Sequence, residues 1–326
     1  MRVILSILIC SVVVYCAKAQ YSLDYGLNLG ATNYLGEIGG TTTEGEGGPA
    51  NGFVNDMNLS QTKFTTGAWI RYKVRPTIAV QLNFLYLRIG AADSLCDYAP
   101  RNARNLHFRN DIYEISTQVE YHFWQMLDLT KRGRTRVDFS AYGYIGVGGF
   151  YHNPKGYYID KWVALQPLST EGQGIVGKTK NYNLFQVCFP SGVGFYFTTN
   201  RKYRIGWEFG YRHTNTDYLD DISYRYVEED IHLESFKDPD KAQMAINMAN
   251  QSQQAETRFI KEGRDDFPGM NHYGGNSIRG NPANDDSYIF TALKLSYVPR
   301  GKGQFYRSKY KSSSKKRRKR SSRAKF

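Results

Sequence analysis

The sequence predicts an all-β fold, namely an eight-stranded antiparallel transmembrane β-barrel with a long, partly helical last extracellular loop. Eight segments alternate apolar and polar residues with a period of two, which is typical of strands with unlike faces. The connections between them alternate long and short, as in bacterial outer-membrane barrels with short periplasmic turns and long external loops. The 326 residues include 26 tyrosines and 31 glycines, a mixture that suits short strands with an aromatic-rich surface.

The first 19 residues predict a secretory signal peptide. Arg2 precedes an apolar run over residues 3–15, and Ala17-Lys18-Ala19 forms a small-x-small cleavage site before Gln20. The alternative is a short N-terminal anchor helix, but the apolar run is too short to span a bilayer comfortably. The barrel is therefore expected to occupy residues 20–299.

Each predicted strand rests on its own alternation. In the first strand, positions 21, 23, 25, 27 and 29 are tyrosine or leucine, and the positions between them are small or polar. The fourth strand has the clearest pattern, and Pro190 in the sixth predicts a bulge or an irregular position. In chain order, the predicted strands cover residues 21–35, 64–72, 78–86, 113–123, 137–147, 185–197, 203–211 and 287–298.

The connections follow from the glycine, proline and polar residues between the strands. Tight turns are predicted at residues 73–76, 131–136 and 200–201, and long loops at residues 36–63, 94–109, 153–181 and 217–286. The last loop is the longest, and one helix is predicted within it over residues 239–260. The modest apolar stripe of this helix would either cover the loop itself or contact a partner.

The inward faces of the strands predict a filled lumen. An eight-stranded barrel is only just wide enough for its interior side chains, and an isolated ion is costly to bury. Five acids and four bases fall on these faces, so we expect a structural network of ion pairs rather than an ion pathway or a catalytic site. They are Asp24, Arg71, Glu114, Glu120, Asp138, Arg204, Glu208, Arg212 and Lys294.

The sequence gives little support to an enzyme. The 6 histidines lie in unrelated strands and loops, and the chain has no nucleophile elbow, phosphate loop or CxxC motif. His213, Asp217 and Ser223 could compose a lipid-hydrolase triad near the rim, but a rim hydrogen-bond network is the preferred interpretation. We therefore expect no catalytic residues, no cofactor and no metal.

Residues 216–223, TDYLDDIS, form what we call the acidic corner, where the seventh strand enters the longest loop. Its notable residues are Asp217, Tyr218, Asp220 and Asp221. Carboxylate oxygens are ligands that hard divalent cations accept, so a cation site is one interpretation. A solvated or arginine-paired structural corner is the other, and it is the preferred one.

The end of the chain is strongly basic. Residues 300–326 contain 13 lysines or arginines and no acid, which equals the formal net charge of +13 and leaves the rest of the chain near neutrality. Few apolar residues are present, so we expect a disordered periplasmic tail. Export argues against a nucleic-acid partner; anionic lipid headgroups, cell-wall polymers and an acidic protein surface are the alternatives. The expected partner-binding residues are Lys309, Lys311, Lys315, Lys316, Arg317, Arg318, Lys319, Arg320 and Arg323.

Four segments of the chain resemble the PorG-like outer-membrane barrels of Bacteroidota. They are GATNYLGE at residues 30–37, NDIYEISTQVEYHF at residues 110–123, TDYLDDIS at residues 216–223, and RGNP at residues 279–282 with SYIFTALKLSY at residues 287–297. The resemblance covers residues 20–299, and TDYLDD is its most specific part.

This resemblance implies an outer-membrane component of the type IX secretion system. In that family the barrel anchors a periplasmic ring, made of a lipoprotein and a companion subunit, and supports protein secretion and gliding motility. The expectation is a non-enzymatic barrel that contacts outer-membrane lipid and has both termini in the periplasm. Use of the basic tail at the ring is inferred from its charge and not from the resemblance. The alternative is a general structural outer-membrane barrel whose basic tail binds cell wall or anionic lipid.

Overall fold

The structure, a computed structural model, describes residues 23–39, 59–96, 98–129, 136–175, 180–283 and 285–299. The predicted signal peptide and the basic tail of residues 300–326 lie outside the described residues. The strands are β1 (Leu23–Leu35), β2 (Lys63–Arg75), β3 (Ile78–Ala92), β4 (His107–Met126), β5 (Val137–Tyr151), β6 (Pro154–Tyr158), β7 (Lys161–Ala164), β8 (Phe185–Thr199), β9 (Tyr203–Thr214) and β10 (Ser287–Tyr297). The α-helices are α1 (Ala99–Arg104), α2 (Glu229–Ser235), α3 (Pro239–Ala249) and α4 (Ser252–Glu262).

Eight of these strands close into an antiparallel barrel, which confirms the predicted fold class. Neighbours follow the order β3-β2-β1-β10-β9-β8-β5-β4, and β3 pairs with β4 to close the circle. The first and last strands pair directly, from Tyr25 opposite Tyr297 to Leu35 opposite Ser287. Closure leaves the barrel without an unpaired edge, which is the condition for strands to cross a bilayer.

The outward faces of the barrel strands form an apolar belt. Leu27 is 58% exposed and Ile145 is 71% exposed, although both are apolar. Rings of aromatic side chains border this belt at the two ends: Tyr297 contacts Tyr203 at the short-turn end, with ring centroids 5.6 Å apart, and Tyr86 contacts Tyr113 at the long-loop end, 5.4 Å apart. An exposed apolar band with two aromatic girdles is the surface of a transmembrane barrel.

β3 and β4 extend further toward the long-loop end than predicted. Beyond the girdle the two faces exchange chemistry, so that the inward residues are apolar and the outward ones are polar. Leu87 and Ile112 point inward and are fully buried, whereas Arg88 and Asp111 lie outside and form an ion pair. The wall here has an apolar inside and a polar outside, as expected for a segment that has left the lipid. The sequence prediction ended these strands early because it followed only the lipid-facing pattern.

The predicted loop at residues 153–181 contains a short β-hairpin, so treating it as one loop was wrong. β6 pairs with β7 and also with the start of β4, which attaches the hairpin to the barrel wall. Ile159 and Asp160 make its turn, both with positive φ, 39° and 63°. Neither residue type is the glycine or asparagine that usually marks such a turn, so no sequence signal was present.

The last loop contains three of the described α-helices, and the single helix predicted over residues 239–260 is divided in two. α3 ends where Asn250 adopts an extended conformation, φ −133°. The Asn250 side chain then accepts a hydrogen bond from the main-chain nitrogen of Ser252, 3.1 Å away, at the start of α4. Asparagine side chains compete with helical main-chain hydrogen bonds in this way. The apolar stripe predicted for one helix is therefore divided between α3 and α4.

No described helix has the length and apolar character needed to cross a membrane.

An apolar core fills the long-loop half of the barrel. It combines inward side chains of the wall with side chains from the loops above, among them Ile38, Leu168, Leu219, Ile222 and Met248. The loops therefore close this end of the barrel by inserting into it. The short-turn half is filled differently, by charged and aromatic side chains.

Candidate functional site: the filled lumen and the acidic corner

Arg71 organises the lumen near the short-turn end. Its guanidinium lies 2.6 Å from Oδ2 of Asp24 and 3.0 Å from Oε2 of Glu120. Arg204 lies 2.5 Å from the same Asp24 oxygen. Neighbouring inward positions of β1, β2, β4 and β9 supply these four residues, and three of them are almost inaccessible to solvent. The strand register thus delivers two acids and two bases to one point.

Lys294 forms a second group at mid-height. Its Nζ lies 2.6 Å from Oε2 of Glu208 and donates to Oε1 of Gln81 at 2.9 Å. Tyr142 donates its hydroxyl to the same Glu208 oxygen at 2.8 Å. The ammonium also lies 4.5 Å from the ring centroid of Trp69, a cation–π distance. This lysine therefore has an acid, an amide and an aromatic partner.

Arg212 forms the third group, toward the long-loop end. Its Nε lies 3.5 Å from Oε2 of Glu114, and its Nη1 donates to the Tyr144 hydroxyl at 3.0 Å. Tyr288 donates to Glu114 at 2.9 Å. The guanidinium stacks 4.6 Å from the Phe290 ring. Across the three groups, four acids face four bases, so the buried charge of this network balances.

The structure thus brings eight of the nine predicted lumen charges into three groups and places Asp138 apart. Asp138 is the first inward position of β5 at the short-turn end, where it is half-buried and accepts from Arg136 at 2.9 Å. Including Asp138 in the lumen network was wrong, because the strand end leaves its carboxylate within reach of solvent and of a local arginine.

Sequence reasoning missed the aromatic partners of the charges. The inward residues Trp69, Tyr142, Tyr144 and Tyr196 all contact buried cations. Their positions in the strands were a usable signal. Each lies an even number of residues from a predicted lumen charge or another polar inward residue, so its side chain points to the same side of the sheet. The prediction counted only the charged inward residues and did not include these aromatic side chains as their partners.

The acidic corner caps this network from above. Leu219 and Ile222 are fully buried in the apolar core, so the corner inserts two aliphatic side chains into the mouth of the barrel. The aspartates between them fold back onto polar partners. The corner is therefore a plug in the mouth of the barrel. Its aliphatic residues fill the core, and its aspartates bind polar groups of the neighbouring segments.

Tyr34 lies between two carboxyl groups of this plug. Its hydroxyl oxygen is 2.7 Å from Oδ2 of Asp220 and 2.6 Å from Oδ1 of Asp286. A phenol has one proton to donate, so one of the two carboxyls must carry a proton of its own to make the second bond. Burial raises the pKa of Asp220 to about 8, and burial together with the Asp220 charge raises the pKa of Asp286. Both shifts favour that shared proton.

Asp221 is held by neutral donors on the other side of the corner. It accepts from the Thr170 hydroxyl at 2.5 Å and the Tyr182 hydroxyl at 2.7 Å. Burial raises its pKa to about 6, although the nearby Arg279 opposes the shift. Tyr218 stacks on Tyr182 with ring centroids 4.6 Å apart. The corner is thus joined to the loop that follows the β6–β7 hairpin.

Arg279 and Glu171 complete the corner. Arg279 Nη1 lies 2.9 Å from Oε1 of Glu171 and donates to the main-chain oxygen of Asp221 at 2.6 Å. Glu171 accepts from the main-chain nitrogens of Ser223 and Tyr224. The preferred interpretation was a solvated or arginine-paired corner. The aspartates are buried, and the arginine beside them comes from the RGNP segment.

The structure does not assemble the hydrolase triad considered from the sequence. His213 projects from the outward, exposed face of β9, whereas Asp217 and Ser223 are buried in the corner. Burial raises the pKa of Asp217 to about 9, an effect that the nearby Ser223 side chain opposes. Within the described residues, no group of three or more histidines, cysteines or acids has an arrangement that could hold a metal ion.

Solved structures match most of this chain at low identity and low TM-score. Solved structures with a similar fold include the attachment invasion locus protein Ail of Yersinia pestis, with 10% identity over 85% of this chain and 98% of that chain and a TM-score of 0.33. A second structure of Ail has 8% identity, the same coverage and a TM-score of 0.31. CarO2 of Acinetobacter baumannii has 10% identity over 82% of this chain and 99% of that chain, with a TM-score of 0.20.

No curated protein matches the chain. A family described as a domain of unknown function, DUF6089, matches residues 2–236. The matched region runs from the N-terminus through the acidic corner to the end of α2. The chain belongs to this family.

Proposed function

We propose that this member of the DUF6089 family is a non-enzymatic outer-membrane barrel of the type IX protein secretion and gliding machinery. Its task is to anchor the periplasmic ring complex, a lipoprotein with its companion subunit, to the outer membrane. The long loops face outside the cell, and the termini and the basic tail lie in the periplasm. The surrounding partner is outer-membrane lipid.

The filled lumen carries this proposal. Arg71, Lys294 and Arg212 occupy successive heights of the lumen. Arg71 and Lys294 pair with acids on neighbouring strands, and Arg212 pairs with Glu114 across the lumen. Above them, Leu219 and Ile222 close the mouth. A barrel whose interior is occupied in this way has no path for a solute, so a role as an anchor suits it better than a role as a pore.

The assignment to the type IX system rests on the sequence segments that resemble the PorG-like family. The acidic corner is the most specific of these segments, and it has a structural role in this chain. Tyr34 of β1 bonds both to Asp220 in the corner and to Asp286 before β10. The contacts with the ring belong to the opposite end, where the short turns and the tail emerge.

Co-purification from intact membranes tests the anchor. Crosslinked cells carrying the full chain are solubilised, and the proteins recovered with it are identified. Recovery of a periplasmic lipoprotein and its companion subunit, together with loss of type IX cargo export in a deletion strain, is the expected result. Normal export in the deletion strain would favour a general structural barrel instead.

The tail is tested separately by removing residues 300–326. The expected result is a folded barrel that recovers much less of the ring. A matched variant in which only the nine expected partner-binding lysines and arginines become glutamine separates charge from length. Four of the 13 cations remain in this variant. If it recovers the ring as well as the native chain, the nine exchanged charges have no part in docking; if it loses only cell-wall or anionic-lipid binding, the alternative function is favoured.

A further inference from the structure

Two cations lie directly opposite each other on the outer surface of the wall. Arg109 of β4 and Lys155 of β6 are partners in antiparallel register. Such partners point to the same side of a sheet with Cβ atoms about 5 Å apart, and like charges in this position destabilise the pair. The arrangement breaks a local rule of sheet stability, which native chains do mainly at functional positions.

Among the described residues, neither cation forms an ion pair. The acid closest in register, Asp111, is already occupied: it lies 2.6 Å from Nε of Arg88 and accepts from the Tyr86 hydroxyl at 2.7 Å. Asp111 also attracts Arg109, but one carboxylate shared with Arg88 neutralises the positive charge of Arg109 and Lys155 only in part.

An aromatic platform orients the arginine. The Arg109 guanidinium lies 4.3 Å from the ring centroid of Trp162, and Trp162 contacts Tyr157 across the hairpin at 5.4 Å. Both aromatic side chains are more than a third exposed. Stacking occupies the face of a guanidinium and leaves the N–H groups in its plane to bind an oxyanion. Lys155 supplies a second donor beside them.

The height of this group above the belt suggests its ligand. Arg109 precedes the lipid-facing Tyr113 by four residues, which is about 13 Å along a strand, just beyond the aromatic girdle. Tryptophan, tyrosine and basic residues together are typical of the headgroup level of a membrane, and basic clusters at that level bind anionic headgroups.

We infer that Arg109, Lys155 and Trp162 form a binding site for the phosphate group of an anionic lipid in the leaflet at the long-loop end. The inference rests on the membrane placement in the proposed function, with the long loops outside, and is independent of the secretion role. The lipid neutralises the like-charged pair and holds the hairpin against the membrane surface.

The test is a titration of the full folded chain in zwitterionic detergent micelles. The probes are diphosphoryl lipid A, the same lipid without its phosphates, and inorganic phosphate. Tight binding of the phosphorylated lipid alone is expected. With Arg109→Gln and Lys155→Gln combined, affinity should fall about 25-fold, or about fivefold per charge at a membrane surface.

The matched control combines Lys237→Gln with Lys261→Gln. Both lysines are exposed on the last loop, and their substitution removes the same total charge. Lys155→Gln alone is a milder variant if the double substitution impairs folding. Equal affinity of the double variant and the control would overturn the inference, as would equal binding of the phosphate-free lipid or competition by millimolar inorganic phosphate. If the wild-type chain failed to insert into lipid vesicles, the membrane placement itself would be wrong.

Discussion

The main-chain nitrogen of Leu219 donates a 2.9 Å hydrogen bond to Oδ2 of Asp286, 67 residues later in the chain. The donor belongs to the plug in the mouth of the barrel, and the acceptor precedes the last strand. This bond fixes the two ends of the longest loop to one point.

Docking of the acidic corner should weaken as the pH rises. The raised pKa values of Asp220, Asp217 and Asp286 mean that the folded state holds protons more tightly than the unfolded state. Their stabilisation is complete below the ordinary carboxyl range and is lost as the pH rises through about 8 to 9. Hydrogen exchange of the Leu219 amide should accelerate between pH 6 and pH 9 by more than the intrinsic exchange rate of an unprotected amide increases over the same range.

Asp286→Asn should reduce this pH dependence, because an amide can donate to Tyr34 without a titratable proton. Asp265→Asn, at an exposed acid, is the control and should leave the pH profile unchanged. An identical profile in Asp286→Asn and wild type would contradict the shared proton between Asp220 and Asp286.

Lys294→Met should destabilise the barrel strongly. Removal of the ammonium leaves the Glu208 carboxylate buried without its ion partner, and breaking a buried pair costs about 3–5 kcal/mol. The free energy of unfolding in micelles, from urea titration, measures the effect. Adding Glu208→Gln should recover part of the loss, whereas Lys261→Met on the surface should have little effect. Equal loss in the single and double variants would show that the pair is not the cause.

Leu219→Ala should loosen the plug. Leu219 is fully buried, and truncating a buried leucine typically costs about 2–5 kcal/mol. Leu233→Ala on α2, where the leucine is 53% exposed, should cost less than about 0.5 kcal/mol. Limited proteolysis of the last loop and urea unfolding report the local and the global effect. Comparable losses in the two variants would argue that Leu219 does not anchor the loop.

Ile159→Asn should stabilise the β6–β7 hairpin. Ile159 has a φ of 39° at the turn, a left-handed conformation that a β-branched residue tolerates poorly and asparagine adopts readily. A gain of about 1 kcal/mol is expected. Ile260→Asn is the matched control, because Ile260 is equally exposed but lies in a right-handed helix. A gain in both variants would point to reduced surface hydrophobicity instead of relieved strain.

The barrel was predictable because lipid and lumen impose opposite chemistry on alternate residues. That signal is strong in residues 113–123, where every second side chain meets lipid, and it disappears at Arg88 and Asp111, where the wall leaves the apolar belt. The hairpin escaped prediction for a related reason: its strands are short, and its turn has neither glycine nor asparagine.

The lumen network was predictable as a set of charges but not as a set of pairs. Parity identifies inward residues, whereas the partner of Lys294 depends on the stagger between strands that are distant in sequence. The acidic corner was recognisable as a motif, yet its mechanism was not, because Tyr34 and Asp286 come from the two ends of the barrel sequence.

The position of Tyr34 has a consequence for assembly. The barrel closes where β1 pairs with β10. The Tyr34 hydroxyl of β1 bonds to Asp286, the residue that precedes β10. Pairing of strands this distant in sequence is slow, since the whole intervening chain must be in place first. The last step of closure also positions Asp286 to receive the plug. Closure of the barrel and placement of the plug therefore depend on the same residue, and a chain truncated before residue 286 lacks both β10 and the Asp286 carboxylate.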